Sequence, residues 1–358
     1  MGTFTRVHVV GAGLIGTSIA LGLKQVGFQL SIEDENPTSE LLAQSLIKQP
    51  AMQDVPEVII IATPILAIPS LIKEYASQYP QSTLMDIGGL KSDVLHEIEN
   101  FSEISSRFCS THPMAGREIS GPAGARGDLF EGRIWIYTPT YSSSERAISS
   151  ALEIISGLGG KPVLLGAKEH DDAIAGVSHL PQIVSSLLSA TLSEMSDRDI
   201  GLAGQGLKDV SRLAASNPNL WGELLHANSE AVGALLTEFA HQLEDLSISL
   251  QNDDLRKTVE ILEKGRANHA RIPGKHGGKK RDYWYLPIVI DDRPGQLAKI
   301  FDSCASVAAN VEDLSIEHTP GQESGLVTLS LSHVDAVKVY DHLLIDGWKV
   351  HEPREAIG

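Results

Sequence analysis

The sequence of 358 residues is poor in cysteine, in basic residues and in long apolar runs. Its two cysteines, Cys109 and Cys304, are far apart, which excludes a disulfide framework and a four-cysteine zinc site. With 29 Lys and Arg against 46 Asp and Glu, the net charge is −17, which argues against nucleic acid or an anionic membrane as the main partner. The most apolar run, Val58–Ile72, contains two prolines and is too short to cross a bilayer.

The composition is that of a soluble protein. Hydrophobic residues make up 42% of the sequence and charged residues 21%, so a large core can form. No charged leader with an apolar stretch precedes Val7, so no signal peptide is visible. We therefore expect a cytoplasmic protein, and the length predicts two or three domains.

Short apolar runs alternate with helical patterns up to about residue 168. This alternation is typical of an α/β domain, so we predict a Rossmann-like, doubly wound parallel sheet over residues 1–168. The predicted strands are Val7–Val10, Gln29–Ile32, Val58–Ala62, Thr83–Ile87, Phe108–Ser110, Ile134–Tyr137 and Val163–Leu165.

The remainder divides into a helical region, a linker and a small domain. From 169 to 266 apolar residues recur three and four apart, and the stripe from Val232 to Leu250 suits a helix that packs against another helix or subunit. We predict an all-helical dimerisation domain there. Residues 267–282 are rich in Lys, Arg and Gly and predict a basic linker. Over 283–358 the pattern β-α-β-β-α-β predicts a ferredoxin-like domain.

Gly11, Gly13 and Gly16 follow the first predicted strand and open the first helix. The first glycine permits a tight turn, the second lets a pyrophosphate approach the backbone, and the third lets the helix pack against the strand. The first helical amides, including those of Leu14 and Ile15, would then bind the phosphates. This spacing in this context predicts a dinucleotide site.

An acidic cluster, Glu33–Glu35, ends the second strand about 20 residues beyond the glycines, where a dinucleotide site has its acidic residue. A carboxylate there hydrogen-bonds the adenosine ribose and repels the 2′-phosphate of NADP. We assign this role to Asp34, and no Lys or Arg follows nearby. The predicted cofactor is NAD, and we expect no metal.

His112 directly follows the strand Phe108–Ser110, at the carboxyl edge of a parallel sheet, where ligands bind. A histidine there can act as a general base, although a histidine in a loop is often structural. His179 lies in the helical region, nine residues after His170, a spacing that does not favour a shared metal.

Lys208 and Arg212 are four residues apart and would share one helical face, which is either solvated or a clamp for a dicarboxylate.

Asp292, Pro294 and Gly295 lie between a predicted strand and a predicted helix. The amides of this turn could cap a small ligand, but alone the pattern indicates only a turn.

Taken together, these motifs resemble the prephenate dehydrogenase family, including its arogenate-using members. The matching stretches are VVGAGLIGTSIALGLK from Val9, ATP at 62–64, DIGGLKSD at 86–93, THPMAGREISG at 111–121, LFEGRIW at 129–135, HDDAIAGVSHLPQ at 170–182 and GLKDVSRLAASNPNLWGELLHAN at 206–228. The tail, IDDRPGQLAKIF with NVEDLSIEH, is similar to an ACT domain, and RIPGKHGGK is similar to the linker of actinobacterial members that carry one.

The resemblance implies a homodimeric, NAD-dependent enzyme of tyrosine biosynthesis. It would oxidatively decarboxylate prephenate to 4-hydroxyphenylpyruvate or, alternatively, arogenate to tyrosine. Tyrosine or phenylalanine would bind the ACT domain as an effector. The residues implied are His112 as acceptor of the ring hydroxyl's hydrogen bond or proton, Lys208 and Arg212 as carboxylate ligands, His179 as a pocket residue, Thr63 at the cofactor, and Asp292, Pro294, Gly295 and Asn310 at the effector.

One position departs from the family pattern. The family usually has Ser at the fourth position of its D-x-G-S-x-K motif, where the hydroxyl orients the catalytic histidine, and this sequence has Gly89. A water, Ser92 or Thr111 could substitute.

Two rival functions stay open. A β-hydroxyacid dehydrogenase would need a catalytic Lys early in the helical domain, where this chain has His170 and acids after Lys168. A non-catalytic amino-acid sensor on a nucleotide-binding scaffold is favoured by Gly89 and opposed by His112, Lys208 and Arg212.

Overall fold

The computed structural model describes residues 4–50, 52, 54–117, 119–272, 283–291, 293–318 and 324–355. The chain forms two compact units, residues 1–248 and residues 249–358.

The first unit contains a seven-stranded sheet with the order β2-β1-β3-β4-β5-β6-β7. Neighbouring strands pair in parallel from β2 to β5, and β6 pairs in parallel with β7. The Val- and Ile-rich runs form central strands because side chains on both faces of the sheet are covered. The predicted doubly wound sheet is confirmed in this part. The strands are β1 Arg6–Val10, β2 Gln29–Glu33, β3 Val58–Ile61, β4 Thr83–Asp86, β5 Phe108–Pro113, β6 Ile134–Pro139 and β7 Lys161–Leu164.

One strand departs from the predicted parallel arrangement. β6 runs antiparallel to β5, with His112 opposite Ile136 and Pro113 opposite Trp135. Among the described residues between these strands, the only helical segment is the short 3₁₀ turn Pro122–Gly124, so the chain reverses instead of crossing over. Pairing with β6 also extends β5 to Pro113, so His112 lies within the strand and not after it.

Helices flank the sheet, and apolar clusters fill both of its faces. Ile19 of the first helix and Ile154 of the sixth belong to one cluster, and Ile68 and Ile98 of the third and fourth belong to the other. These helices are α1 Leu14–Gln25, α2 Pro37–Ile47, α3 Ile68–Gln78, α4 Ser92–Glu99, α5 Ser102–Ser105 and α6 Glu145–Gly157.

The helical region follows β7, as predicted. A π-helical turn, Ala175–His179, joins its first two helices into one continuous helical run over 167–194. By length and composition alone this run could cross a membrane, but it carries buried His170, Asp171 and His179. The helices are α7 Ala167–Ile174, α8 Leu180–Thr191, α9 Asp197–Ile200, α10 Gln205–Ser211, α11 Pro218–Ala227, α12 Ser229–Gln251 and α13 Leu255–His269. Because α13 extends to His269, the first residues of the predicted linker are helical, and residues 273–282 lie outside the described part of the chain.

The second unit contains an antiparallel sheet whose order is β11-β8-β10-β9, with β12 also paired to β8. A separate apolar cluster lies between this sheet and its two helices, and it includes Leu286, Ile300, Leu329 and Val339. After α13, which also belongs to this unit, its elements in chain order are β8 Trp284–Asp291, α14 Gln296–Ser306, β9 Asp313–His318, β10 Ser324–Leu331, α15 His333–Ile345, β11 Lys349–Val350 and β12 Arg354–Glu355.

Candidate active site

The glycine motif forms the turn between β1 and α1. Gly11 has a φ of +105°, and its N–H donates to the carbonyl of Glu33 over 2.8 Å. A Cβ on Gly16 would lie 2.0 Å from the carbonyl oxygen of Gly11, so only glycine allows this helix to approach the strand. A Cβ on Gly13 would meet no atom of the described residues within 4 Å, and no side chain among them caps the helix that starts at Leu14. The open space therefore faces free amides and the positive end of the helix dipole.

Asp34 lies beside this turn. Its Oδ2 accepts the N–H of Ala12 over 2.6 Å, and its Oδ1 accepts the N–H of Asn36 over 2.8 Å. Each carboxylate oxygen can accept a second hydrogen bond, so a ribose hydroxyl can still be bound. Thr63 follows β3 and has a buried hydroxyl without a partner among the described residues. It lies next to the glycine turn, because its methyl carbon would be 3.2 Å from a Cβ on Gly11. These residues fit a dinucleotide without a 2′-phosphate.

A buried ion pair between Asp86 and Lys91 lies at the carboxyl end of β4. Lys91 Nζ donates to Asp86 Oδ2 over 2.6 Å, to Ser110 Oγ over 2.9 Å and to the carbonyl of Thr111 over 2.7 Å. Burial lowers the pKa of Lys91 from its ordinary value, and the Asp86 carboxylate opposes that shift. Asp86 Oδ2 also accepts the N–H of Gly88 over 2.8 Å. The pair thereby fixes the loop that leads into α4.

His112 is the first member of a chain of hydrogen-bonded side chains. Its Nδ1 lies 2.9 Å from Nε2 of His170, and Nδ1 of His170 lies 2.7 Å from Oδ1 of Asp171. Asp171 also accepts the N–H groups of Lys91 over 2.9 Å and of Ser92 over 2.8 Å. Strand β5, helix α7 and the loop before α4 therefore meet at His112.

Electrostatics favour a neutral His112 and an ionised Asp171 at the two ends of this chain of hydrogen bonds. Burial lowers the pKa of His112 well below its ordinary value of 6.5, and the charges of His170, Lys91 and His179 lower it further, while Asp171 opposes them. Burial alone would raise the pKa of Asp171, but hydrogen bonds from His170, Ser92 and Lys91 lower it. A neutral imidazole can accept a proton at neutral pH.

His179 reaches the same network from the other end of the π-helical turn. Asn228 Nδ2 donates to the carbonyl of Asp171 over 2.9 Å and lies 3.3 Å from His179 Nδ1. The ring of Trp221 meets that of His179 edge-on, with 6.0 Å between centroids. Burial lowers the pKa of His179. Asn228, like His170 and Asp171, is a residue to which the sequence reasoning assigned no role.

Contrary to the prediction, Lys208 and Arg212 do not share one α-helix. Lys208 lies in α10, whereas Arg212 begins the 3₁₀ turn Arg212–Ala215, and both residues are exposed. This turn is bound to α8, because Gln182 Nε2 donates to the carbonyl of Leu213 over 3.0 Å and Ser185 Oγ accepts the N–H of the next residue. Arg212 therefore lies beside the helix that follows His179.

Gly89 lies beside the other nitrogen of His112. A Cβ on Gly89 would be 3.9 Å from His112 Nε2 and 3.2 Å from Leu224 Cδ2. The suggestion that Thr111 replaces the missing hydroxyl is wrong, because Thr111 Oγ1 donates to the carbonyl of Asp86 over 2.7 Å and accepts from Trp135 Nε1 over 3.0 Å.

The effector residues proposed from the sequence lie in the second unit. Asp292 is outside the described residues. Gly295 has a φ of +88° and precedes α14, for which no described side chain forms an N-terminal cap. Asn310 is exposed, and its Nδ2 donates to Glu312 Oε1 over 2.9 Å.

Comparison with known proteins adds to this geometry. Two family models match: "Prephenate dehydrogenase, nucleotide-binding domain" over residues 1–164 and "Prephenate dehydrogenase, dimerization domain" over 166–264. The probable prephenate dehydrogenase NovF of Streptomyces niveus is 28% identical over 354 residues, covering 95% of this chain and 98% of its own.

Two solved structures are similar over about three quarters of this chain. Prephenate dehydrogenase from Aquifex aeolicus in complex with hydroxyphenyl propionate and NAD+ is 26% identical, with a TM-score of 0.67, over 76% of this chain and 99% of that chain. Synechocystis arogenate dehydrogenase is 27% identical, with a TM-score of 0.62, over 74% of this chain and 99% of that chain.

Proposed function

The chain belongs to the prephenate dehydrogenase family, and from that premise we propose that it oxidises prephenate with NAD and releases carbon dioxide, giving 4-hydroxyphenylpyruvate. The observation that carries the proposal is the hydrogen-bonded chain from His112 to Asp171, which lies at the edge of a sheet whose first turn fits NAD. When bound, NAD supplies the acceptor for a hydride.

His112 acts on the ring hydroxyl of the substrate. Its Nε2 accepts the hydrogen bond or proton of that hydroxyl while the ring carbon is oxidised. The carboxylate on the ring then leaves as carbon dioxide, and its bonding electrons make the ring aromatic. The oxygen keeps or regains its proton in the phenol product. Aromatisation makes the step essentially irreversible.

Arg212 and Lys208 bind the carboxylates of the substrate, and His179 lines the pocket. The bonds between α8 and the turn Arg212–Ala215 support this role, because they place Arg212 beside the helix that follows His179. A guanidinium binds a carboxylate through two parallel hydrogen bonds, which orients the ring as well as holding it.

The test is NADH formation by the full-length protein with prephenate and with arogenate, each with NAD and with NADP. Prephenate with NAD should give the highest kcat/KM. A preference for arogenate would favour the alternative, arogenate dehydrogenase, which the similarity to the Synechocystis enzyme keeps open. No turnover of either substrate would favour the amino-acid sensor.

The active form is a homodimer. The match to a dimerization domain supports this, as do apolar side chains exposed on the helical region, such as Leu202 at 81% and Leu187 at 60%. In the predicted stripe on α12, Leu243 is 54% exposed while Val232 is buried. Exposed apolar surface of this kind marks an interface between subunits. Light scattering at micromolar concentration should give twice the mass of the chain.

Residues 283–358 form a ferredoxin-like ACT domain that binds tyrosine or phenylalanine and inhibits the enzyme. The antiparallel order β11-β8-β10-β9, with two helices, supports this assignment. The start of α14 after Gly295 offers amides to the effector's carboxylate, together with Asp292, Pro294 and Asn310. Tyrosine should inhibit the full-length chain and not a chain ending near residue 280. Equal inhibition of both would place the tyrosine site in the catalytic cleft.

We place the protein in the cytoplasm, in keeping with a role in amino-acid biosynthesis. The apolar run over 167–194 fits this location as part of a folded domain, because its buried His170 and Asp171 take part in the site.

A further inference from the structure

We propose that His170 and Asp171 are a positioning pair that keeps the proton of His112 on Nδ1, so that Nε2 is the atom that meets the substrate. The inference rests on the proposed function, because it explains how His112 is prepared for its reaction. Neither residue needs to touch the substrate. Their effect passes through His112.

The direction of each hydrogen bond follows from Asp171. An ionised carboxylate only accepts, so Nδ1 of His170, at 2.7 Å, carries the proton that it donates. We take this to be the only ring proton of His170, so that its Nε2 has a lone pair, which accepts from Nδ1 of His112 over 2.9 Å. A neutral His112 with its proton on Nδ1 has an unprotonated Nε2. The chain of bonds therefore selects one tautomer.

Asp171 is itself held firmly. The N–H groups of Lys91 and Ser92 fix its two oxygens, and its backbone carbonyl accepts from Asn228. His170 is fully buried and Asp171 nearly so, which keeps water from competing for these bonds. The pair can therefore hold the ring of His112 against rotation.

The opposite side of the ring offers no such restraint. Nε2 of His112 faces Gly89, which has no side chain, and no described residue makes a hydrogen bond to that nitrogen. A Cβ at Gly89 would still be 3.9 Å away. His170 is therefore the hydrogen-bond partner that fixes the orientation of His112, and the space at Gly89 remains for the substrate hydroxyl.

Nitrogen-15 NMR of the full-length protein at neutral pH tests the tautomer directly. The signals of His112 are identified by their loss in His112→Asn. We expect a protonated Nδ1 and an unprotonated Nε2 in the wild type. A proton on Nε2 would overturn the proposal. The spectrum needs no substrate, so this result is independent of whether prephenate is turned over.

Two variants separate positioning from folding. In His170→Asn the amide can still donate to Asp171, but the acceptor for His112 is gone. In His170→Gln the side-chain carbonyl can reach the position of Nε2 and restore that acceptor. His170→Asn should shift His112 toward the Nε2-protonated tautomer and lower kcat at least about tenfold. Removing a general base itself typically lowers kcat by roughly 10²–10⁴-fold, so the effect of His170→Asn should be smaller than that of removing His112. His170→Gln should recover most of that loss and the Nδ1 proton.

His96→Asn is the matched control, because His96 is an exposed histidine on α4. Its kcat and the spectrum of His112 should equal those of the wild type. KM for prephenate should change less than about twofold in His170→Asn, because the variant keeps the contacts that bind the substrate in its ground state. An unchanged kcat in His170→Asn, or equal losses in His170→Asn and His170→Gln, would refute the positioning role.

Discussion

Replacing Lys91 by Met tests how strongly the buried ion pair stabilises the first unit. Met has nearly the same length as Lys and fills space flexibly, so the change removes the charge and its hydrogen bonds with little loss of packing. The ammonium donates to Asp86, Ser110 and Thr111, and neither side chain of the ion pair is exposed to solvent. Asp86 would be left as a buried charge with only neutral donors around it.

The expected loss is large. Removing one partner of a buried ion pair costs about 3–5 kcal/mol, because the remaining charge is not compensated. For a unit of this size each kcal/mol lowers Tm by about 2–4 °C, which gives a decrease of roughly 6–20 °C.

Calorimetry and urea unfolding of the full-length chain measure this loss. Lys73→Met is the matched control, because Lys73 pairs with Glu97 at the surface, where an ion pair contributes at most about 1 kcal/mol. Adding Asp86→Asn to Lys91→Met should recover part of the stability by removing the isolated charge. If Lys91→Met cost no more than Lys73→Met, the buried pair would not stabilise the loop that carries Gly88 and Gly89.

Exchanging the charge at the end of β2, with Asp34→Ser and Glu35→Arg together, should shift the preference from NAD toward NADP; equal use of both cofactors by the wild type would contradict the role of Asp34. Arg212→Ala should raise KM for prephenate far more than it lowers kcat, because a carboxylate contact of this kind serves mainly ground-state binding; an unchanged KM would place the substrate carboxylates elsewhere. His112 must be unprotonated to accept a proton, and its pKa lies well below 6.5, so kcat/KM should stay level as the pH falls through 6.5 and decline only at lower pH. A decline centred at or above 6.5 would show that His112 is not the titrating base.

The nucleotide site could be predicted from the sequence because its signal is local. Gly11, Gly13 and Gly16 lie within one turn, and each has a backbone reason to be glycine or to leave space for a ligand. Asp34 follows at the end of the next strand and is bound to the same turn. Residues close in sequence are forced to be close in space here, so spacing alone carries the information.

The network around His112 could not be predicted in the same way. His112 and His170 are 58 positions apart, and no spacing rule links a strand residue to a helix of the following domain. Lys91 resembles a surface residue in the sequence, because Lys is seldom buried unless it is paired. The direction of β6 was predicted wrongly because an apolar run indicates burial and not whether the strand is parallel.

Whether His112 is the base is decided by the steady-state rate of NADH formation from prephenate, measured for His112→Asn and for the wild type. We expect kcat to fall by about 10²–10⁴-fold with little change in KM, because the variant keeps the shape of the site and loses its proton acceptor. NAD binding, followed by fluorescence, should be equal in the two proteins. A kcat within about threefold of the wild type would contradict the assignment of His112 as the base and place the chemistry elsewhere in the cleft.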